Sequence, residues 1–498
     1  MSDFLPVTQR RNHKGALAFP DAISKYLDIE KSYGAVIGPY ASNPFASDIV
    51  LSPLNSVPKG LNDRRIILDL SWPESASVND GIPAKQYLGV DFDLVYPTVD
   101  DIASTILNKG RGCFLFKRDL KRAYRQLPID PGDYHFLGYE WNNQMYFDTV
   151  LPMGLRSAAM ACQRVTSAVS YVCSSHDFSV CNYLDDFIGV DIPNRASYAY
   201  TFLGDLLSSL GLEESVQKAA SPSTCMTVLG VQFDTVAMTM SVTPDRLRDL
   251  ADILSQWMLK SVATKSQIQS LIGKLMFVSK CVKQSRIFLA RILAVLRSVS
   301  HGNANTQVRL STEFKKDLAW WRRFLPLYNG VSYIYNAPWS SPDAVFSTDA
   351  CLSGCGGVCK GEFFHVEFPP LLLARELSIN ALEILAVVIA CKLWGHMWTH
   401  RRILLYCDNQ ATVMVLNSGR TRCTFMADCL RELWLISAVN DFELRAVHLE
   451  GSANREADLL SRWHLDARNE KEFRAIHRVL PSTERTVPDS YFTFESAI

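Results

Sequence analysis

The 498-residue sequence has no excess of either charge, since 51 Lys and Arg balance 51 Asp and Glu. The overall balance therefore names no acidic or basic partner. Its first residues, MSDFLPVTQRRNHKG, lack the apolar core of a secretory signal. The longest apolar run, Ile384 to Cys391, is too short to span a bilayer, so no membrane partner is expected. Internal repeats are missing, which excludes a solenoid. The 13 cysteines are odd in number and scattered. They suit a reduced, intracellular setting, cytoplasm and/or nucleus, rather than a disulfide scaffold. Cys351, Cys355 and Cys359, with His365 beyond, do not have the spacing of a zinc knuckle or ribbon. The glycines between them read as a tight turn.

What is present is ordinary globular composition, 48% apolar and 20% charged, over a length that suits roughly two to four domains. One local feature stands out. Asp185 and Asp186 sit in the apolar run Cys181-Asn182-Tyr183-Leu184-Asp185-Asp186-Phe187-Ile188-Gly189-Val190. Ionised carboxylates in such surroundings need a partner. In one continuous strand they would point to opposite faces. A hairpin turn would bring both to one edge, where a divalent cation neutralises them. A second local feature is basic. From Trp257 to Phe324 there are 13 Lys and Arg against only Glu313 and Asp317. That stripe suits a phosphate backbone; its plain alternative is a set of solvated helix faces.

Strands are expected at Arg65–Leu70, Cys113–Phe116, Met145–Leu151 and Val228–Phe233. Helices are expected at Ala103–Gly110, Gly154–Cys173 and Ala196–Gly211. This mixed order predicts an α+β sheet with helices on one face. Pro244 opens a helical region in which Thr264-Lys265-Ser266-Gln267 has the form of a capping box. Trp320-Trp321 reads as packing, and Asn336 to Pro342 as a linker. From Ala344 a compact α/β pattern of about 120 residues begins.

Asp119 ends an apolar strand among Lys117, Arg118, Lys121, Arg122 and Arg125. With Asp185 and Asp186 it offers three carboxylates at strand ends, a donor set for Mg²⁺ and a polyanionic substrate. These residues resemble a reverse transcriptase. Phe116 to Ile129 is similar to the first catalytic motif, Leu151 to Ala158 to the motif contacting dNTP and template, and Tyr183-Leu184-Asp185-Asp186 to the YxDD box. Gly211 to Lys218 and Leu229-Gly230-Val231 resemble the two motifs that follow. The resemblance implies metal binding and catalysis by Asp119, Asp185 and Asp186, with Lys218 as general acid toward pyrophosphate. It implies substrate contacts from Arg65, Leu120, Tyr124, Met153 and Gly154. Tyr124 would lie under the sugar and leave no room for a 2′-hydroxyl. Met153 stands where relatives often have Gln or Phe.

Glu383 is the only charged residue from Leu377 to Cys391. A Glu in so apolar a helix needs a strong partner. Asp349 and Asp408 end strands, and Asp458 opens a helix, where capping is its plain alternative. Four such carboxylates suit two-metal phosphodiester hydrolysis. They resemble the DEDD set of ribonuclease H, in the segments Ser347–Ala350, Asn380–Glu383, Tyr406–Asn409 and Asn454–Arg462. Relatives often have a mobile histidine shortly before the last aspartate. No His lies between Gly451 and Asp458; His448 comes earlier, and the product-release role stays unassigned.

The implied fold is an α+β right-hand polymerase (fingers, palm, thumb) followed by an α/β ribonuclease H-like domain. The implied divisions are an N-terminal extension (1–50), fingers and palm (51–240), helical thumb (241–300), connection (301–342), ribonuclease H-like domain (343–465) and C-terminal tail (466–498). The implied activity is RNA-directed DNA synthesis with ribonuclease H cleavage, using two Mg²⁺ or Mn²⁺ ions per site. The implied partners are an RNA template, a DNA primer, dNTPs, the RNA–DNA hybrid and other retroelement proteins such as a recombinase. Leu151 to Ala158, Asp317 to Trp321 and Trp463 most resemble DIRS-type, tyrosine-recombinase retrotransposons; LTR-retrotransposon and pararetroviral polymerases are the near alternative. The rival of another class is a catalytically inactive or domesticated nucleic-acid-binding relic, which would keep the basic stripe and lose carboxylates.

Overall fold

The computed structural model describes residues 4–60, 63–87, 89–281, 283–326, 331–334, 342–399, 401–478 and 482–494. The stretch read as a linker, Asn336 to Pro342, lies outside them except for Pro342. So do the side chains of Lys283 and Arg286 in the basic stripe. The chain forms two compact units, residues 1–229 with 233–238, and residues 230–232 with 239–498.

After a short helical turn at Lys14–Leu17, the first unit has helix α1 (Pro20–Ser32) and strand β1 (Val36–Tyr40). This segment, part of the N-terminal extension expected for residues 1–50, packs into the core of the unit. Ala16, Ile23, Leu27 and Val36 are buried in one core with Leu54, Ile66, Leu68, Tyr139 and Trp141. The sequence hid this because the apolar residues of α1 are few and their partners lie far along the chain. Strand β2 (Asp63–Leu68) follows, then helix α2 (Val99–Lys109), held at its N-terminus by a Thr98–Asp101 capping box.

A four-stranded sheet carries the first carboxylates. Its strands are β3 (Phe114–Asp119), β4 (Val180–Tyr183), β5 (Asp186–Asp191) and β6 (Ala220–Ser223), in the order β6-β3-β5-β4. Helices α3 (Ala158–Ser175) and α4 (Pro193–Ser209) complete its core. Phe116, Phe187, Cys162, Val169, Leu203 and Leu207 are buried together there. Gly189 pairs with Phe116 across the sheet, and a Cβ on it would lie 2.0 Å from the Phe116 ring. The expected strand Val228–Phe233 is two strands, Cys225–Val228 and Val231–Asp234. Leu229 and Gly230 both take positive φ between them, so an apolar run that reads as continuous is a tight turn.

In the second unit, the capping box at Thr264 forms: its side chain accepts from Gln267 N–H, and the Gln267 side chain accepts from Thr264 N–H at 3.1 Å. Helix α5 (Lys265–Val278) buries Ile268, Leu271, Ile272 and Leu275. Trp320 and Trp321 lie in helix α6 (Thr312–Phe324) and are buried; Trp320 stacks on Phe288 and Phe324. Part of the basic stripe is structural. Lys265 Nζ donates to the carbonyls of Ser300 and Gly302, and Lys315 Nζ to that of Met258. Arg291 pairs with Glu313 and the fully buried Asp317.

The rest of this unit is a sheet of β7 (Ala344–Ala350), β8 (Gly354–Cys359), β9 (Glu362–Glu367), β10 (Arg402–Cys407), β11 (Glu443–His448) and β12 (Thr483–Glu484), in the order β11-β10-β7-β8-β9-β12. Helices α7 (Ile379–Trp394), α8 (Thr424–Asn440), α9 (Arg455–Ser461) and α10 (Ala467–Ile476) accompany it. Helix α7 and the residues after it are long and apolar enough to cross a membrane by length and composition. It is, however, buried along nearly its whole length as the core helix of this domain. Gly354, Gly356 and Gly357 do not form the expected turn; they lie within β8. A Cβ on Gly356 would sit 2.3 Å from Leu460 Cβ, so this glycine lets α9 close on the sheet. The tail after residue 465 docks on this sheet. Phe473 is buried against Phe363 and Leu460, and β12 pairs in parallel with β9.

Candidate active sites

The hairpin expected at the aspartate pair forms. β4 and β5 pair antiparallel with Asp186 opposite Tyr183, and Leu184 takes φ +54 in the turn. β5 also pairs with β3, setting Asp186 directly opposite Asp119. Leu120 N–H donates to the Asp185 carbonyl at 2.9 Å, tying the two motifs together. Three acids thus converge at one end of the sheet. Asp119 is 5% exposed. Burial, then its hydrogen bond with Asp119 and the Asp119 charge, push Asp186 up to about 6. Burial first, and the Asp119 charge, also raise Asp185. Lys218 Nζ lies 3.0 and 3.1 Å from the two Asp119 oxygens, and that bond raises the ammonium's pKa.

A cavity of about 490 Å³ opens beside the acids. Asp119, Leu120, Tyr124, Asp185, Arg65, Met153 and Lys218 all line it. Burial first pushes the Tyr124 phenol up to about 12. The ring is therefore a neutral wall at neutral pH. Gly154 is not among the lining residues. It sits at φ +112, and a Cβ there would lie 2.8 Å from the Leu68 carbonyl oxygen. Asn79, which sequence reasoning missed, holds this loop. Its Nδ2 donates to the Gly154 carbonyl at 2.8 Å, and its Oδ1 accepts from Arg156 N–H at 2.7 Å. Gln163 of α3 was missed too. Its Oε1 accepts from Leu184 N–H at 2.9 Å and its Nε2 donates to the Asn182 carbonyl at 3.3 Å, latching the aspartate turn. No spacing in the sequence points to either contact.

The second group lies in the other unit. Asp349 is near the end of β7, Asp408 follows β10, Glu383 is in the second turn of α7 and Asp458 is in α9. β7 and β10 are parallel neighbours, which places Asp349 and Asp408 at the same sheet end. Glu383 is 3% exposed. Burial, then the charges of Asp349 and Asp408, push it up to about 9. Asp349 is pushed up to about 6, first by burial and also by Asp408 and Asp458. Its Oδ2 is buried with no hydrogen-bond partner among the described residues. Glu383, Cys407 and Asp408 bring ligand atoms within 4.8 Å of one another. Buried, mutually repelling carboxylates with an orphaned oxygen fit a divalent cation. Cys407 was not anticipated; it follows from the strand turning into Asp408. His448 ends β11, and its Nε2 donates to the Asp408 carbonyl at 3.0 Å. Asp458 forms an ion pair with Arg462 at 2.9 Å.

Cys355 and Cys359 are buried in β8, Cys351 Sγ donates to the Ser461 carbonyl, and His365 pairs with Glu484.

No protein-family model matches the chain. It is 20% identical over 477 residues to the retrovirus-related Pol polyprotein from transposon opus of Drosophila melanogaster. That match covers 90% of this chain and 44% of the polyprotein, so the chain spans less than half the length of this curated relative. Two solved structures of the foamy viral protease–reverse transcriptase, both with double-stranded DNA, are similar to it. The dRH form has a TM-score of 0.52 at 14% identity, over 90% of this chain and 72% of that one. The other has a TM-score of 0.51 at 14% identity, over 91% of this chain and 86% of that one. The fold is that of a reverse transcriptase, a mixed α/β polymerase followed by a ribonuclease H-like domain.

Proposed function

We propose that this chain copies RNA into DNA and hydrolyses the RNA strand of the resulting hybrid. The observation that carries the reading is the register that sets Asp119 opposite Asp186, with Asp185 and Tyr124 in the same cavity. Asp119, Asp185 and Asp186 would hold two Mg²⁺ or Mn²⁺ ions, and Asp349, Glu383, Asp408 and Asp458 another two. Such ions activate the attacking oxygen and stabilise the leaving one. The chain's own groups do the rest. The Tyr124 ring walls the sugar, and Arg65, exposed on the cavity rim, meets the triphosphate. Met153 and Leu120 complete the nucleotide contacts, and Gly154 shapes the loop behind them. Lys218, held protonated by Asp119, gives a proton to the departing pyrophosphate.

Residues 241–300 read as a helical thumb and 301–342 as the connection. The partners are an RNA template, a DNA primer, dNTPs and the hybrid; the double-stranded DNA bound by the foamy viral relatives supports nucleic acid as the partner class. The finer reading is a DIRS-type element working with a recombinase, supported by the Leu151 to Ala158, Asp317 to Trp321 and Trp463 segments. Thirteen scattered cysteines, odd in number, support a reducing intracellular setting, cytoplasm and/or nucleus.

Primer extension on RNA and hybrid degradation, each with Mg²⁺ or Mn²⁺, test this. Asp185→Asn should abolish extension and leave degradation, and Asp408→Asn should do the reverse. Folded wild-type chain that binds primer–template yet extends nothing with either metal would overturn the proposal.

A further inference from the structure

The cavity beside Asp119 has a wall that the catalytic motifs do not supply. Tyr26 and Glu30 of α1 line it together with Tyr124. Glu30 is 4% exposed, and a carboxylate so buried needs charged partners. Its Oε2 accepts from Arg122 Nη2 at 2.6 Å and from Arg125 Nε at 2.8 Å. Arg125 also forks onto Asp148, at 2.7 and 3.1 Å. One carboxylate oxygen thus grips two arginines that flank Tyr124 in sequence.

Ala123–Gln126 is a single 3₁₀ turn, too short to hold its own shape. Arg122 enters it at φ 55 and ψ 40, a left-handed conformation that is unfavourable for a residue with a Cβ. Arg125 is already neutralised by Asp148. The Arg122 side chain is one-fifth exposed and could be solvated without Glu30. The clamp joins α1 to the turn and fixes both sides of the residue that lines the cavity.

We propose that Glu30 is a positioning residue for nucleotide selection: by gripping Arg122 and Arg125 it sets where the Tyr124 ring stands. This rests on the reading of Tyr124 as the sugar wall. Without the grip the turn relaxes, the ring moves, and a 2′-hydroxyl is admitted.

The test uses the full chain, Glu30→Gln and Arg122→Gln, each bound to primer–template with a dideoxy-terminated primer and Mg²⁺. Retention of that complex against competitor DNA, titrated with the next dNTP or the matching rNTP, reads both affinities without chemistry. Both variants should lower the dNTP-over-rNTP ratio about tenfold, and the double variant should be no worse than either single one. An unchanged ratio in folded variants, with only a lower melting temperature, would make Glu30 structural and overturn the proposal. A wild-type chain that binds neither nucleotide, or both equally, would overturn it as well. Failure of the wild type to extend an ordinary primer would instead sink the polymerase reading, and is scored separately.

Discussion

One amide of helix α3 is hydrogen-bonded to both sides of the aspartate turn. Gln163 makes two hydrogen bonds to the hairpin, to Leu184 N–H and to the Asn182 carbonyl. Leu184 is in the left-handed region, where a leucine is held only by its surroundings. Gln163→Met keeps the length and apolar volume of the side chain and removes both bonds. Each is worth about 1 kcal/mol net. If both are needed to hold Asp185 and Asp186 in place, about 2 kcal/mol is lost from the productive geometry. At about 1.4 kcal/mol per decade this is roughly a 30-fold slower extension. Single-turnover extension at saturating dNTP measures it, with hybrid degradation as the internal control. A rate within threefold of wild type, in a folded variant, would refute the reasoning: the β4–β5 pairing alone would then hold the turn.

Gly356→Ala should impair hybrid degradation at least tenfold and leave extension intact, because a Cβ there meets Leu460 and displaces the helix bearing Asp458; equal degradation rates would show that α9 adjusts freely. Gly154→Ala should weaken dNTP use about tenfold, since φ +112 and the Leu68 carbonyl both oppose a Cβ; steady-state KM for dNTP checks this. Glu383 and Asp349 have raised pKa values, about 9 and 6, so the metal-free native state keeps protons that the unfolded chain releases. Metal-free stability should therefore fall as pH rises from about 4.5 toward 9. Divalent-cation affinity should rise over the same window, with proton release visible by calorimetry in two buffers; flat affinity from pH 6 to 9 would refute it.

Much of both sites was legible because their chemistry is local. Tyr183 to Asp186 carries two acids on one turn, and Asp119 ends a strand whose apolar run is plain. Glu383 was conspicuous as a lone charge in an apolar helix. Other parts were illegible for a common reason. Glu30 meets residues more than 90 positions away, and Asn79 holds a loop 75 positions on. Neither has a local pattern that marks it. The β8 glycines were misread as a turn because a glycine needed for close packing looks the same in sequence as one needed for positive φ.

The sequence by itself determined which residues carry charge, the order of the two carboxylate blocks, and most of the helices and strands that hold them. It did so because periodicity, capping and short carboxylate motifs act over a few residues. Only the tertiary structure decided that residues 14–36 belong to the core of the first unit, that the last residues complete the second sheet, and that Gln163, Asn79 and Glu30 bond to the loops and turns around the first carboxylate cluster. Those contacts join segments far apart in the chain, so their energies depend on a folded geometry that no local pattern encodes.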